Sequence, residues 1–126
     1  MVRVIAPDDC NNAPRKEVIR DFNVAFATVD REKILAYMAD DIEWIMIGDK
    51  KMQGKDAAKA FLETMPDEKA EEVVLHTIVT HGNTAAANGE IRYKDMTIAF
   101  CDVYEFAGFT KDAKIKKLTS YAVELT

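Results

Sequence analysis

Apolar residues recur with a helical period through residues 14–38. Pro14 suits the first turn of a helix, and the apolar positions that follow are three or four apart: Val18, Ile19, Phe22, Ala25, Phe26 and Val29. Asp30 has the short polar side chain typical of an N-cap, which predicts a second, shorter helix that ends at Tyr37 or Met38. The pattern therefore predicts two amphipathic helices, preceded by a flexible leader over residues 1–14.

A nearly continuous apolar run follows at residues 42–47, which is typical of a strand with little exposure on either face. Asp40 and Asp41 directly precede it. We interpret these acids as the exit from the second helix and not as a catalytic pair, because short polar side chains at such positions usually satisfy backbone groups. After a polar loop at residues 48–51, Gly54 precedes a third helical pattern, which Pro66 ends.

After Glu71 the pattern becomes that of strands. Four runs rich in β-branched and aromatic residues, separated by short polar turns, occupy residues 73–82, 84–93, 96–106 and 114–125. Connections this short join antiparallel neighbours. The order α-α-β-α-β-β-β-β predicts an α+β fold in which three helices pack on one face of a curved, mainly antiparallel sheet. We expect residues 15–126 to form one domain.

Composition restricts the partners and the compartment. The 126 residues carry a formal net charge of -5, which disfavours nucleic acid or an anionic membrane as the main partner. No apolar stretch reaches the length of a signal peptide core or a membrane span. Cys10 and Cys101 form no disulfide or zinc pattern, and His76 and His81 would face opposite sides of a regular strand. We therefore expect a cytoplasmic protein without a metal site.

Three segments carry a resemblance to a known superfamily: VIRDFNVAFATVDREKILAYMADDIEWIM, QGKDAAKAFLETM and CDVYEFAGFTKDAKIKKLTSYAVEL. With the order of elements, they resemble the nuclear transport factor 2-like superfamily, which includes SnoaL-like polyketide cyclases, steroid delta-isomerases and scytalone dehydratase. The resemblance implies a cone-shaped, cystatin-like roll. It also implies a pocket inside the cone that uses no cofactor, and a homodimer formed through the outer face of the sheet.

The resemblance also suggests which chemistry is missing. It aligns the proton-shuttling aspartate of the steroid isomerases with Met46, and their enolate-binding tyrosine with Phe22. A thioether cannot accept that proton and a phenyl ring cannot donate that hydrogen bond. The steroid isomerase mechanism is therefore not expected. The third polar group of those enzymes, an aspartate, is matched by Asp102.

Strand alternation then predicts a pocket around Asp102. This acid shares one face of its strand with Ile98, Phe100, Tyr104 and Phe106. A carboxyl group in an aromatic row is costly unless it is protonated, paired or functional, so we predict a raised pKa for Asp102 and a role as acid or base, assisted by His76 or Tyr104. The small residue Gly89 is expected to leave space. The candidate walls are Phe22, Tyr37, Trp44, Met46, Phe61, Gly89, Ile91, Tyr93 and Phe100.

Two functional interpretations stay open. In the first, the cone binds a small apolar molecule, such as a carbonyl compound, and isomerises, cyclises or dehydrates it by acid–base chemistry. In the second, the cone is filled and the protein is a non-catalytic homodimeric accessory module. A homodimer is expected in both cases, through an apolar outward set: Thr97, Ala99, Cys101, Val103, Ile45 and Ile47. The pattern leaves open whether Ser120 or Tyr121 points inward.

Overall fold

The computed structural model describes residues 2–8, 13–110 and 112–125 of the chain. Within these ranges the elements, in chain order, are β1 (Arg3–Ile5), α1 (Pro14–Ala27), α2 (Arg31–Ala36), β2 (Met38–Met46), β3 (Lys50–Gln53), α3 (Lys55–Glu63), β4 (Glu72–His81), β5 (Thr84–Arg92), β6 (Thr97–Phe106) and β7 (Ile115–Leu125). The strands form one seven-stranded sheet in the order β1-β4-β5-β6-β7-β2-β3. The predicted α+β fold is confirmed.

The sheet is mixed, with an antiparallel centre. β4, β5, β6 and β7 pair antiparallel in succession, and β3 pairs antiparallel with β2. β2 pairs parallel with β7, because α3 and the strands between them carry the chain back to the same end of the sheet. The three helices pack on one face of this curved sheet, as in a cone, and the main core lies between the two layers.

Two short strands extend the sheet beyond the predicted set. Residues 50 and 51, predicted as part of a polar loop, belong to β3, which pairs with β2; the side chain of Met52 is buried while its neighbours are exposed. β1 lies in the predicted flexible leader but pairs parallel with β4, and the Arg3 guanidinium binds the buried carboxylate of Glu72. The rest of that leader includes Cys10, which lies outside the described residues.

The helix exit predicted at Asp40 and Asp41 is wrong. α2 ends at Ala36, and β2 already begins at Met38, so both acids belong to the strand, where they are exposed. The pairing of β2 with β7 shifts register between Met38 and Glu43. A strand that starts with an irregular, exposed segment lacks the alternation that would have revealed it.

Inward and outward residues alternate along β6 as predicted, and this alternation positions the candidate site. Phe100, Asp102, Tyr104 and Phe106 are buried, whereas Cys101 between them is exposed. The inward row faces the helices. No helix among the described residues has the length and apolar character needed to cross a membrane.

Candidate functional site

Asp102 lies at the base of a cavity between the sheet and the helices. Its side chain projects from the inner face of β6, and the residue is 9% exposed. Burial raises the pKa of Asp102 from 3.8 to about 6, because an ionised carboxylate loses its hydration; hydrogen bonds from Ser120 and Tyr104 act in the opposite direction. A carboxyl group with this pKa changes protonation state close to neutral pH.

A hydrogen-bond network surrounds the carboxyl group. Tyr104 is fully buried, and its hydroxyl group lies 3.5 Å from Asp102 Oδ2. Asn23 Nδ2, from α1, donates to the Tyr104 hydroxyl oxygen at 3.0 Å and to the Ile19 carbonyl at 2.9 Å. Burial and the neighbouring carboxylate raise the pKa of Tyr104 well above its usual value, so this phenol stays neutral.

The opposite side of the carboxyl group is formed by the last strand. Ser120 lies directly across from Asp102 in the antiparallel pairing of β6 with β7. Its hydroxyl oxygen lies 3.4 Å from Trp44 Nε1, which can act only as a donor. Ser120 therefore points inward, and Tyr121 lies on the outer face, where it is exposed. This resolves the alternative that the sequence left open.

The cavity has a volume of about 220 Å³ and is predominantly apolar. Its walls come from α1, β2, α3, β5, β6 and β7, and the residues that line it are Asn23, Phe26, Trp44, Met46, Phe61, Met65, Ile91, Tyr93, Ile98, Phe100, Asp102, Leu118, Ser120 and Ala122. Trp44 packs edge-on against Phe26 and Phe61, with ring centroids 5.7 and 5.2 Å apart. Such contacts restrain the rings and give the cavity a defined aromatic side.

The polar base and the exposed rim lie at opposite ends of the cavity. Asn23 and Leu118, which both adjoin Tyr104, are buried, whereas Ala122 is exposed and Met65 and Tyr93 are partly exposed. A molecule that enters past the rim meets apolar walls first and the carboxyl group last. This arrangement is typical of a small-molecule site with a few polar groups that fix orientation.

Most of the predicted site residues line this cavity. They are Trp44, Met46, Phe61, Ile91, Tyr93, Phe100 and Asp102. Tyr104 lies beneath the base, where it contacts Asp102. Phe22 and Tyr37 are placed one layer further back: their rings pack edge-on against each other at 6.0 Å, and Phe22 also packs against Tyr104 at 6.1 Å. These two aromatic residues support the site without lining it.

The structure does not bring His76 to the cavity. Its side chain is 50% exposed, and its Nε2 lies 3.3 Å from a carboxylate oxygen of Glu90. The pairing of β4 with β5 shifts register between Leu75 and Thr77. This bulge breaks the alternation from which an inward histidine was predicted. The expected partnership between His76 and Asp102 is therefore not formed.

Gly89 has a different role from the one predicted. A Cβ atom at this position would lie 1.9 Å from the carbonyl oxygen of Val74, because β4 approaches β5 closely beside the bulge. The residue is small to permit this contact between strands and does not line the cavity. The space that the sequence argument assigned to it is occupied by backbone.

Several lining residues were missed by reasoning from the sequence alone: Asn23, Phe26, Met65, Leu118 and Ala122. Asn23 carried a usable signal, because it lies four residues after Ile19 and so places a polar side chain on the apolar face of α1. The residues of β7 carried none, since their direction follows from the pairing with β6.

A second, shallow depression of about 520 Å³ lies on the outer face of the sheet and contains no ionised side chain among its lining residues. The exposed apolar residues of this face include Val79, Val103, Tyr121 and Val123. Within the described residues, no group of three or more histidine, cysteine, aspartate or glutamate side chains could hold a metal ion.

Comparison with solved structures shows the same fold in several proteins. An NTF2-like protein of unknown function from Burkholderia xenovorans has a TM-score of 0.75 and 17% identity, over 93% of this chain and 88% of that one. An LEH-like epoxide hydrolase from M. tuberculosis has a TM-score of 0.68 and 19% identity, over 87% and 83%. A candidate ketosteroid isomerase from Kribbella flavida has a TM-score of 0.70 and 13% identity, over 90% and 80%.

Identities this low establish the fold and leave the chemistry open. A comparison with proteins of curated function finds no match. The family profile described as "SnoaL-like domain" matches residues 19–117, which is most of the chain. The resemblance found in the sequence is confirmed. The chain therefore belongs to the SnoaL-like domain family.

Proposed function

We propose that this protein binds one small, largely apolar molecule in the cavity and that Asp102 acts on it as an acid or a base. The observation that carries the proposal is a carboxyl group, 9% exposed, at the base of an otherwise apolar cavity of about 220 Å³. A buried acid in an apolar site with a perturbed pKa is a feature of functional sites, because it costs stability that a purely structural residue would not.

The volume restricts the size of the ligand. An engineered cavity of about 150 Å³ holds benzene, and pockets for drug-sized molecules occupy about 300–1,000 Å³. The cavity of about 220 Å³ lies between these values. Scaling from benzene gives about nine non-hydrogen atoms, which corresponds to one substituted ring or two small fused rings. The four rings of a steroid exceed this volume.

The chemistry that suits this site is proton transfer without a cofactor. With a pKa of about 6, Asp102 is about nine-tenths ionised at pH 7 and can accept a proton, while the protonated form remains accessible. An isomerisation, cyclisation or dehydration needs this type of group. Met46 lines the cavity where the steroid isomerases are expected to carry their base, so we assign proton transfer to Asp102 alone.

A fragment screen monitored by two-dimensional NMR tests this proposal. Compounds of one or two rings should shift the resonances of cavity residues such as Trp44, Ile91 and Leu118, and Asp102→Asn should change their affinity. Asp41→Asn is the matched control, because Asp41 is an exposed acid outside the cavity. A screen in which no compound perturbs the cavity, or in which Asp102→Asn binds every ligand as the wild type does, would contradict the proposal.

We also propose that two copies associate through the outer face of the sheet. Four apolar side chains that are 40–63% exposed are grouped there, on β4, β6 and β7: Val79, Val103, Tyr121 and Val123. An exposed apolar patch of this kind is characteristic of a protein–protein interface, and the same patch on each copy can pair about a two-fold axis. This association is compatible with an open cavity, which faces the other side of the sheet.

Light scattering coupled to gel filtration tests the association. The wild type should elute with the mass of a dimer, and Val103→Asp should elute as a monomer. Phe109→Asp is the control, because Phe109 is 76% exposed but lies outside that face, in the turn between β6 and β7. A monomeric wild type would exclude a second copy of the chain as a partner.

The low cysteine content, two in the chain, remains our reason to propose a cytoplasmic location.

A further inference from the structure

We propose that the cavity selects ligands that donate a hydrogen bond, such as an alcohol, a phenol or an N–H heterocycle, over ligands that only accept one, such as a ketone. The proposal depends on the directions of the hydrogen bonds at the base and rests on the proposed binding function. Those directions follow from the chemistry of each group in turn.

The amide of Asn23 fixes the first direction. Its Nδ2 lies 2.9 Å from the Ile19 carbonyl oxygen, which can only accept a hydrogen bond. The NH₂ end of the amide must therefore face this carbonyl. The second hydrogen of Nδ2 is directed at the Tyr104 oxygen, at 3.0 Å. Both donors of Asn23 are thus used within the protein.

Tyr104 extends this chain of hydrogen bonds to Asp102. Its oxygen already accepts from Asn23, and a phenol has one hydrogen to donate. That hydrogen is directed at Asp102 Oδ2, at 3.5 Å. Tyr104 is fully buried and does not line the cavity, so this donor is not available to a ligand.

The second chain of hydrogen bonds reaches Asp102 from β2 through β7. Trp44 Nε1 donates to Ser120 Oγ at 3.4 Å. Ser120 lies across from Asp102, and its hydroxyl lowers the pKa of that carboxyl group, as a hydrogen bond donated to the charged form does. The indole and the hydroxyl group therefore also direct their hydrogens toward Asp102.

The groups left for a ligand at the base are acceptors. Asn23 lines the cavity, is 3% exposed, and no donor among the described residues is hydrogen-bonded to its Oδ1. The ionised carboxylate of Asp102 has further lone pairs. A ligand with a hydroxyl or N–H group can donate a hydrogen bond to these oxygens. A carbonyl oxygen has no hydrogen to donate, so it would lie against them without forming a hydrogen bond.

Apart from Ser120, the lining residue that carries a hydroxyl group is Tyr93, and it lies toward the rim. Tyr93 follows the end of β5, six residues after Ala87, which pairs with Asp102. Six residues of strand correspond to about 20 Å of backbone, and Tyr93 is partly exposed, so we place this residue at the rim. Tyr93 and Tyr104 are the titratable groups that share the site with Asp102; burial raises the pKa of each, and both stay neutral. The described lining residues of the other elements carry no charge.

Three probes of similar size test the preference: cyclohexanol, cyclohexanone and methylcyclohexane. Their dissociation constants are measured by NMR titration at pH 8 and pH 5. At pH 8 the alcohol should bind about tenfold tighter than the ketone or better, as expected for a hydrogen bond to a charged acceptor. At pH 5 the protonated carboxyl group can donate, and the preference should shrink or reverse.

Asp102→Asn should abolish the pH dependence, because the amide offers the same donor at both pH values, and Asp41→Asn should retain it. If Asp102→Asn does not fold, the wild-type pH comparison still tests the directions. Equal binding of alcohol and ketone at pH 8, with methylcyclohexane bound, would overturn this inference and leave the binding function standing. Failure of all three probes to bind would overturn both.

Discussion

Replacing Asp102 by asparagine should stabilise the protein at neutral pH. Burial raises the pKa of this carboxyl group from 3.8 to about 6 in the folded protein. A difference of about two pKa units corresponds to about 3 kcal/mol, at about 1.4 kcal/mol for each unit. This is the free energy by which ionisation of Asp102 destabilises the folded state. Asparagine has nearly the same shape and does not ionise.

The sign of the effect follows from proton binding. Between about pH 4 and pH 6, the folded state holds a proton on Asp102 that the unfolded state has released, so the free energy of unfolding falls as the pH rises. Below pH 4 the group is protonated in both states and the penalty is absent. The free energy of unfolding of Asp102→Asn, relative to that of the wild type, should therefore be about 3 kcal/mol larger above pH 6 than at pH 4.

Urea unfolding at intervals between pH 4 and pH 8 measures this difference, with Asp41→Asn as the matched control, because Asp41 is an exposed acid outside the cavity. A carbon-13 NMR titration of the carboxyl resonance measures the pKa of Asp102 directly. A stability difference that stays constant from pH 4 to pH 7, or a carboxyl group that titrates near pH 4, would refute the reasoning. Either result would mean that water or an unrecognised donor compensates the buried charge.

Three further predictions follow from single contacts. Gly89→Ala should lower the free energy of unfolding by several kcal/mol in urea, because its Cβ would lie 1.9 Å from backbone of β4; Gly108→Ala, with 3.7 Å of space, should not. Tyr104→Phe removes a donor to the carboxylate and should raise the pKa of Asp102 further, as measured by NMR; an unchanged pKa would contradict the hydrogen bond. Arg3→Ala should increase amide hydrogen exchange in β1, and unaltered protection there would show that backbone pairing alone holds this strand.

The inward position of Asp102 could be predicted because β6 is long and regular, so alternation fixes the face of every residue. The same rule failed for His76, since a bulge shifts the register of β4 by one residue and reverses the side chains beyond it. Periodicity is a local signal, and one irregular pair is enough to invalidate it.

Other features depend on pairing and could not be predicted from one strand. Ser120 reaches Asp102 because β7 lies beside β6 in one particular register. β3 is recognisable as a strand only once β2 provides its hydrogen-bonding partner, since residues 50–53 are mostly polar. The fold could therefore be inferred from patterns and resemblance, whereas the hydrogen-bond network of the site required coordinates.

The two borders of the sheet have a consequence for assembly. β1 at one border is three residues long, and β3 at the other carries Lys50 and Lys51. A short strand and a pair of lysines both discourage the addition of a further strand from another molecule. Growth into a continuous ribbon of strands is thus unfavourable at either margin. In the association that we propose, two copies stack sheet against sheet, a geometry that closes after two subunits.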